Sequence, residues 1–189
     1  MTLMQIIPDG GGRAALSTSD PVRISLELAA QNVHFERWRV QRPVGLAPDG
    51  KEILDAYRAE VDRLINEHRF RFVDVVRMVR GAGDPHRPSR VSEARQMFLE
   101  EHTHRDAEVR FFAEGKGCFY LHFGDHVYAL VCEAGDLLSI PARVRHWFDM
   151  GSDPEFCAIR FFLNEDGWVG DFSGDPVSSR ILSLDEIVA

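Results

Sequence analysis

Between residues 107 and 163 the chain falls into short alternating or β-branched runs, at about 107–113, 117–123, 126–132, 137–140, 145–148 and 156–163. Turn-forming clusters separate or follow them: Gly124-Asp125, Gly151-Ser152-Asp153-Pro154 and Glu165-Asp166-Gly167. Short strands at such close spacing build an antiparallel sandwich or barrel, because each needs a neighbour for its backbone hydrogen bonds and a second layer for its apolar face.

Upstream the texture differs. Residues 1–50 mix strand-like pieces with turns at Asp9-Gly10-Gly11-Gly12 and Pro48-Asp49-Gly50, and 33–38 alternate as a strand would. Over 51–65, Ile53, Leu54, Tyr57, Val61, Leu64 and Ile65 recur at helical spacing while Lys51, Glu52, Asp55, Glu60 and Asp62 fill the other face. Residues 72–79 fit either a strand or a helix. Gly81-Ala82-Gly83-Asp84-Pro85 breaks the chain, and 88–99 read as a second helix. The expectation is one domain over 1–189, mainly β with a helical N-terminal half: a mixed, helix-bearing part over 1–99 packed on a β-barrel core over 100–172.

The chemistry is concentrated in His102-Thr103-His104-Arg105-Asp106-Ala107-Glu108. Strand side chains alternate faces, so His102 and His104 point the same way and can share a metal. Glu108 has the same parity, yet four extended residues cover about 13 Å. Donors bonded to one metal at about 2 Å lie only about 3 Å apart. The chain must therefore turn at Arg105-Asp106-Ala107 if Glu108 is to join. A further ligand is expected downstream, where His146 follows Gly135 and Pro141 and opens the run His146-Trp147-Phe148. Three imidazoles and a carboxylate suit iron, nickel, manganese or cobalt, with two positions left for a chelating substrate. The remaining histidines, His34, His68, His86, His122 and His126, fit no such pattern and read as surface or structural.

The four ligand candidates match the two cupin motifs. His102, His104, Glu108 and Gly115 fit the first, with Gln96 in place of its leading glycine. Gly135, Pro141 and His146 fit the second, with Arg143 where the pattern has glycine and Met150 where it has asparagine. A narrower resemblance runs through Glu100-Glu101-His102-Thr103-His104, Glu108-Val109-Arg110-Phe111-Phe112, Gly135-Asp136-Leu137, Pro141-Ala142, His146-Trp147-Phe148-Asp149-Met150-Gly151, Ala158-Ile159-Arg160 and Gly167-Trp168. In these segments the chain resembles the acireductone dioxygenases of methionine salvage. Arg143-Val144 departs from the small or polar residues expected there.

The resemblance implies a cupin-type double-stranded β-helix, a jelly-roll barrel with packed helices, holding one Fe2+ or Ni2+ on His102, His104, Glu108 and His146. It implies O2-dependent cleavage of 1,2-dihydroxy-3-keto-5-methylthiopentene. With iron the products are formate and 4-methylthio-2-oxobutanoate. With nickel they are carbon monoxide, formate and 3-methylthiopropionate. Arg110 shares the parity of Glu108 and would support the substrate anion. Arg160 sits inside an apolar run, so it either pairs with a carboxylate or serves the substrate. Phe148 and Trp168 are candidate walls for the methylthioalkyl tail. Glu101 either orients an imidazole or is a solvated carboxylate. Other readings are another cupin dioxygenase or isomerase with a chelating substrate, and a non-catalytic cupin that binds a metal or ligand.

Composition removes several other classes. The formal net charge is −8 and the pI about 5.5, so an acidic surface repels phosphate backbones and no nucleic-acid partner is expected. No apolar run approaches the roughly 20 residues needed to cross a bilayer, and the N-terminus does not read as a signal peptide. Cys118, Cys132 and Cys157 are odd in number and lie in apolar stretches, which points to buried thiols and a reducing, cytoplasmic setting. The chain is expected to act as a monomer.

Overall fold

The computed structural model describes residues 1–41, 49–79, 87–164 and 169–189. In chain order the elements are β1 (Leu3–Pro8), β2 (Leu16–Thr18), α1 (Pro21–Ala29), β3 (His34–Arg37), α2 (Gly50–Ala56), α3 (Arg58–His68), β4 (Phe72–Met78) and α4 (Arg87–Leu99), followed by β5 (His102–Thr103), β6 (Glu108–Phe123), β7 (His126–Glu133), β8 (Asp136–Ile140), β9 (Arg145–Asp149), β10 (Phe156–Phe162), β11 (Asp171–Phe172), a 3₁₀ turn at Pro176–Arg180 and α5 (Leu184–Ile187).

One sheet runs β11-β5-β9-β6-β7-β1-β2 and the other β4-β10-β6-β8-β3, with every pairing antiparallel. The long β6 belongs to both. Its first half pairs with β8 and β10, and its second half with β7 and β9. This shared strand closes the jelly-roll barrel, the cupin architecture. The runs 107–113 and 117–123, read from sequence as two strands, are one continuous strand. Gly115 carries the bend at φ 69°, where a Cβ would collide with the Glu155 carbonyl.

A β-bulge sits beside that bend. Opposite β10 the register slips, so that Cys157 faces Glu114 and Ala158 faces Phe112, leaving Ala113 as the extra residue. The inward-facing parity therefore changes along β6. Before the bulge Phe112 lies in the barrel interior, and after it Phe119 and Leu121 do. Glu108 and Arg110 share the parity of Phe112 and are buried with it.

Three apolar layers hold the fold. The interior packs Phe112, Phe119, Leu121, Leu130, Phe148, Phe156 and Ala158, and Ile24 and Leu28 of α1 join it. On the outer face of the second sheet, Phe111, Ile159 and Phe161 receive Ile53, Tyr57, Val61 and Leu64 of the helical segment. Trp38 stacks on Phe111 at 4.4 Å, and Tyr57 meets the same ring edge-on at 4.7 Å. On the outer face of the first sheet, Tyr120 and Trp147 stack at 4.9 Å under Val177, Ile181 and Leu184 of the C-terminal segment.

The N-terminal half holds more strand than its periodicity suggests. β1 extends one sheet beside β7, while β3 and β4 edge the other. The ambiguous stretch 72–79 is strand β4. The helix expected over 51–65 is two, α2 and α3, parted at the fully buried Tyr57, with an Asp49/Glu52 capping box at the start. Helix α1 has no counterpart in the periodicity, because Val22 and Leu26 are exposed while Ile24 and Leu28 are buried. Its start is nevertheless marked, since Asp20 caps the helix and Pro21 opens it.

Candidate metal centre

His102 on β5 and His146 on β9 stand directly opposite each other in register. His104 follows β5 by one residue. The bend expected after it occurs at Arg105-Asp106, and β6 then opens with Glu108. The turn is held by two hydrogen bonds. The Arg143 N–H donates to the His104 carbonyl at 2.9 Å, and Asn164 Nδ2 donates to Asp106 at 2.6 Å. The three imidazoles are buried, and their nitrogen donors lie within 4.8 Å of one another.

The tautomers follow from hydrogen bonding. His102 Nδ1 donates to the Glu100 carbonyl at 2.7 Å, His104 Nδ1 to the Val169 carbonyl at 2.9 Å, and His146 Nδ1 to the Val144 carbonyl at 2.8 Å. A carbonyl can only accept, so each Nδ1 carries a hydrogen, and a ring in its metal-binding, neutral form turns its Nε2 lone pair inward. Glu108 Oε2 lies 3.2 Å from His104 Nε2 and 3.1 Å from His146 Nε2. Lone pairs and a carboxylate oxygen aimed at one point repel each other unless a cation lies between them. The separations of Glu108 Oε2 from these two nitrogens match the roughly 3 Å that ligands of one metal require.

Glu108 Oε1 accepts from Arg110 at 2.8 Å. Burial opposes ionisation of Glu108, but Arg110 and the two imidazoles outweigh it and hold the carboxyl well below its usual range. Burial lowers Arg110, and the guanidinium lies over the Phe148 and Phe119 rings, 4.6 and 5.0 Å from their centroids. Burial, with His146 nearby, lowers His102 to about 4, so its ring is neutral at physiological pH. For His104, burial is outweighed by the Glu108 carboxylate and the Val169 carbonyl, so without a cation its pKa is raised; a metal held on Nε2 would take the place of that proton.

The other sequence candidates are placed as follows. Phe148 is buried among Phe112, Phe119 and Phe156, two residues beyond His146 on the same face. Arg160 forms a bidentate pair with Asp74 across the β10–β4 register, at 2.8 and 2.6 Å. Glu101 is buried, and its carboxylate pairs with His122 Nδ1 rather than with an imidazole of the trio. Trp168 and His86 lie outside the described residues.

Some participants were not singled out from sequence. His122, read there as surface or structural, is buried and lies 3.8 Å from Asp9, while Arg145 is 3.8 Å from Glu101. A histidine inside the apolar run 117–123 was the available signal, since a buried polar group needs a partner. Beside His104 lies a cavity of about 350 Å³ lined by Thr103, His104, Arg105, Arg143 and Asp171.

The family model described as the ARD/ARD' family matches residues 5–170. The chain is 52% identical over its whole length to acireductone dioxygenase 1 of Nocardia farcinica, covering 100% of that protein. It is 47% identical to the acireductone dioxygenase of Saccharopolyspora erythraea, covering 100% of this chain and 99% of that one. Among solved structures it is similar to an acireductone dioxygenase from Bacillus anthracis described as having a cadmium ion in its active centre. The TM-score is 0.77 at 26% identity, over 91% of this chain and 98% of the other.

Proposed function

The chain belongs to the ARD/ARD' family, and on that premise we propose that His102, His104, Glu108 and His146 hold its catalytic divalent cation and that Arg110 supports the anionic substrate. The protein is a metal-dependent dioxygenase acting on a small-molecule acireductone and O2. The observation that carries the ligand assignment is the set of three Nδ1-to-carbonyl bonds, which leaves three Nε2 atoms clustered together, with Glu108 Oε2 beside those of His104 and His146.

When bound, the metal supplies a Lewis-acidic site with open positions for a chelating substrate. The residues do the rest. Glu108 divides its carboxylate between the imidazole cluster and Arg110, so the guanidinium is fixed beside the place where substrate charge gathers. Its burial makes that charge effective, because no water screens it. Phe148 and Phe119 support Arg110 from below and give the site an apolar floor suited to a thioether tail. The pair with Asp74 supports a structural role for Arg160, and the pair with His122 supports Glu101 as a brace behind His102.

Fe2+ and Ni2+ both suit the donor set. Iron is expected to give formate and 4-methylthio-2-oxobutanoate, and nickel carbon monoxide, formate and 3-methylthiopropionate. All four ligands come from one chain, which supports a monomer as the working unit. The buried free thiols Cys118, Cys132 and Cys157 support a reducing, cytoplasmic setting. Among the described residues no helix is long and apolar enough to cross a membrane.

The test is to mix the metal-loaded protein with acireductone under argon and then admit O2. Protein-dependent loss of substrate, with products that follow the metal supplied, is expected. Loss no faster than in the protein-free control overturns the reading.

A further inference from the structure

Arg143 adopts the left-handed backbone conformation, with φ 66°. Glycine enters that region freely, whereas a residue with a Cβ does so under strain. The cupin pattern has glycine at this place, and the hydrogen bond made here, from the Arg143 N–H to the His104 carbonyl, is a backbone bond that glycine would make equally well. The loop therefore has no need of an arginine side chain, and strain retained at a site calls for another reason.

The side chain supplies one. It is exposed and lines the cavity of about 350 Å³ that reaches His104, together with Thr103, Arg105 and Asp171. Two guanidiniums and one carboxylate leave that wall positive, on a chain whose formal net charge is −8. Among the described residues neither Arg105 nor Arg143 is held in an ion pair. An anion approaching this protein meets a repulsive overall field, and a local cationic mouth beside His104 reverses it there.

We infer that Arg143, helped by Arg105, is a substrate-capture residue: it draws the anionic acireductone into the cavity beside His104. It is distinct from Arg110, which is buried against Glu108, and it acts on binding rather than on the oxidation. The inference rests on the acireductone reading of the site.

The experiment compares the metal-loaded wild type with R143G and R143K. Anaerobic titration with acireductone, followed by its ultraviolet absorption, measures binding, and steady-state kinetics give KM and kcat. In R143G the dissociation constant and KM for acireductone are expected to rise about five- to tenfold at low ionic strength, with kcat within about twofold and the KM for O2 unchanged. The gap should close as salt is raised and the Debye length shrinks below about 10 Å. R143K should keep most of the affinity, and R143G should melt no lower than wild type because glycine relieves the strain. Unchanged affinity in R143G overturns the inference, as does a loss that salt does not alter or that R143K shares. Failure of the wild type to bind acireductone sinks the underlying reading instead, and the inference with it.

Discussion

Glu108 gives one carboxylate oxygen to Arg110 at 2.8 Å and keeps the other for the imidazoles of His104 and His146. Removing either partner therefore has separate consequences. Glu108→Ala strands a buried guanidinium and opens the donor set, so both metal content and turnover are expected to fall. Arg110→Ala leaves the three imidazoles on their carbonyl anchors, so the metal should remain bound. The kcat of that variant should drop about 10²- to 10³-fold, the range seen when a preorganised charge stabiliser is deleted. Metal analysis beside kinetics checks both. Arg110→Ala protein that lacks metal would show that the arginine builds the site rather than serving the substrate.

Metal uptake should depend on the imidazoles as a set. His104→Ala removes one Nε2 donor and frees the Val169 carbonyl, without touching the anchors of His102 and His146. Metal stoichiometry and O2-dependent turnover are expected to disappear together. In wild type a chelator should abolish turnover, and Fe2+ or Ni2+ should restore it with different products. Full turnover in His104→Ala would refute the ligand set.

Much of this site was legible in the sequence because ligand spacing and reach impose hard constraints. Side-chain parity placed His102 and His104 on one face, and an extended chain's reach required the bend that occurs at Arg105-Asp106. The parity of Arg110 with Glu108 also held, since both precede the bulge. Past Ala113 the same rule fails: odd-numbered Phe119 and Leu121 face inward, where even-numbered Phe112 did. A bulge has no local periodic signature, so only pairing with β10 reveals it. Arg160 illustrates the other limit. Its apolar surroundings demanded a partner, but Asp74 is 86 residues away in sequence, and only the β10–β4 register brings the two together.

The Glu101–His122 pair should matter for stability. The Glu101 side chain is fully buried, the His122 ring nearly so, and they tie the residue before His102 to β6. Glu101→Ala leaves a buried histidine without its carboxylate, a loss of about 3 kcal/mol for a buried pair. At about 2–4 °C per kcal/mol for a chain of this size, melting should fall by about 6–12 °C. Thermal unfolding of metal-free protein reads this without interference from bound metal. A shift under 2 °C would show that the pair contributes little.

Asp149 sets an acid limit on the fold. Its carboxylate receives Arg95 at 2.7 and 2.9 Å, the Gly151 N–H at 2.8 Å and the Leu184 N–H at 2.9 Å, tying α4 and the C-terminal segment to β9. Burial pushes its pKa up, but the Arg95 pair and the two backbone donors outweigh that, and the pKa is lowered. The sign follows: a carboxyl depressed in the fold stabilises it fully above the unfolded value of about 3.9, and the gain is lost as pH falls through the lower folded value. Asp149→Asn should thus be about 2 kcal/mol less stable than wild type at pH 7, in keeping with charge-assisted bonds to a partly exposed arginine. The difference should hold down to about pH 5 and shrink steadily below about pH 4. Urea unfolding of both proteins across pH 3–8 measures it, and a gap that stayed constant to pH 3 would mean that the Asp149 charge is not what holds these segments together.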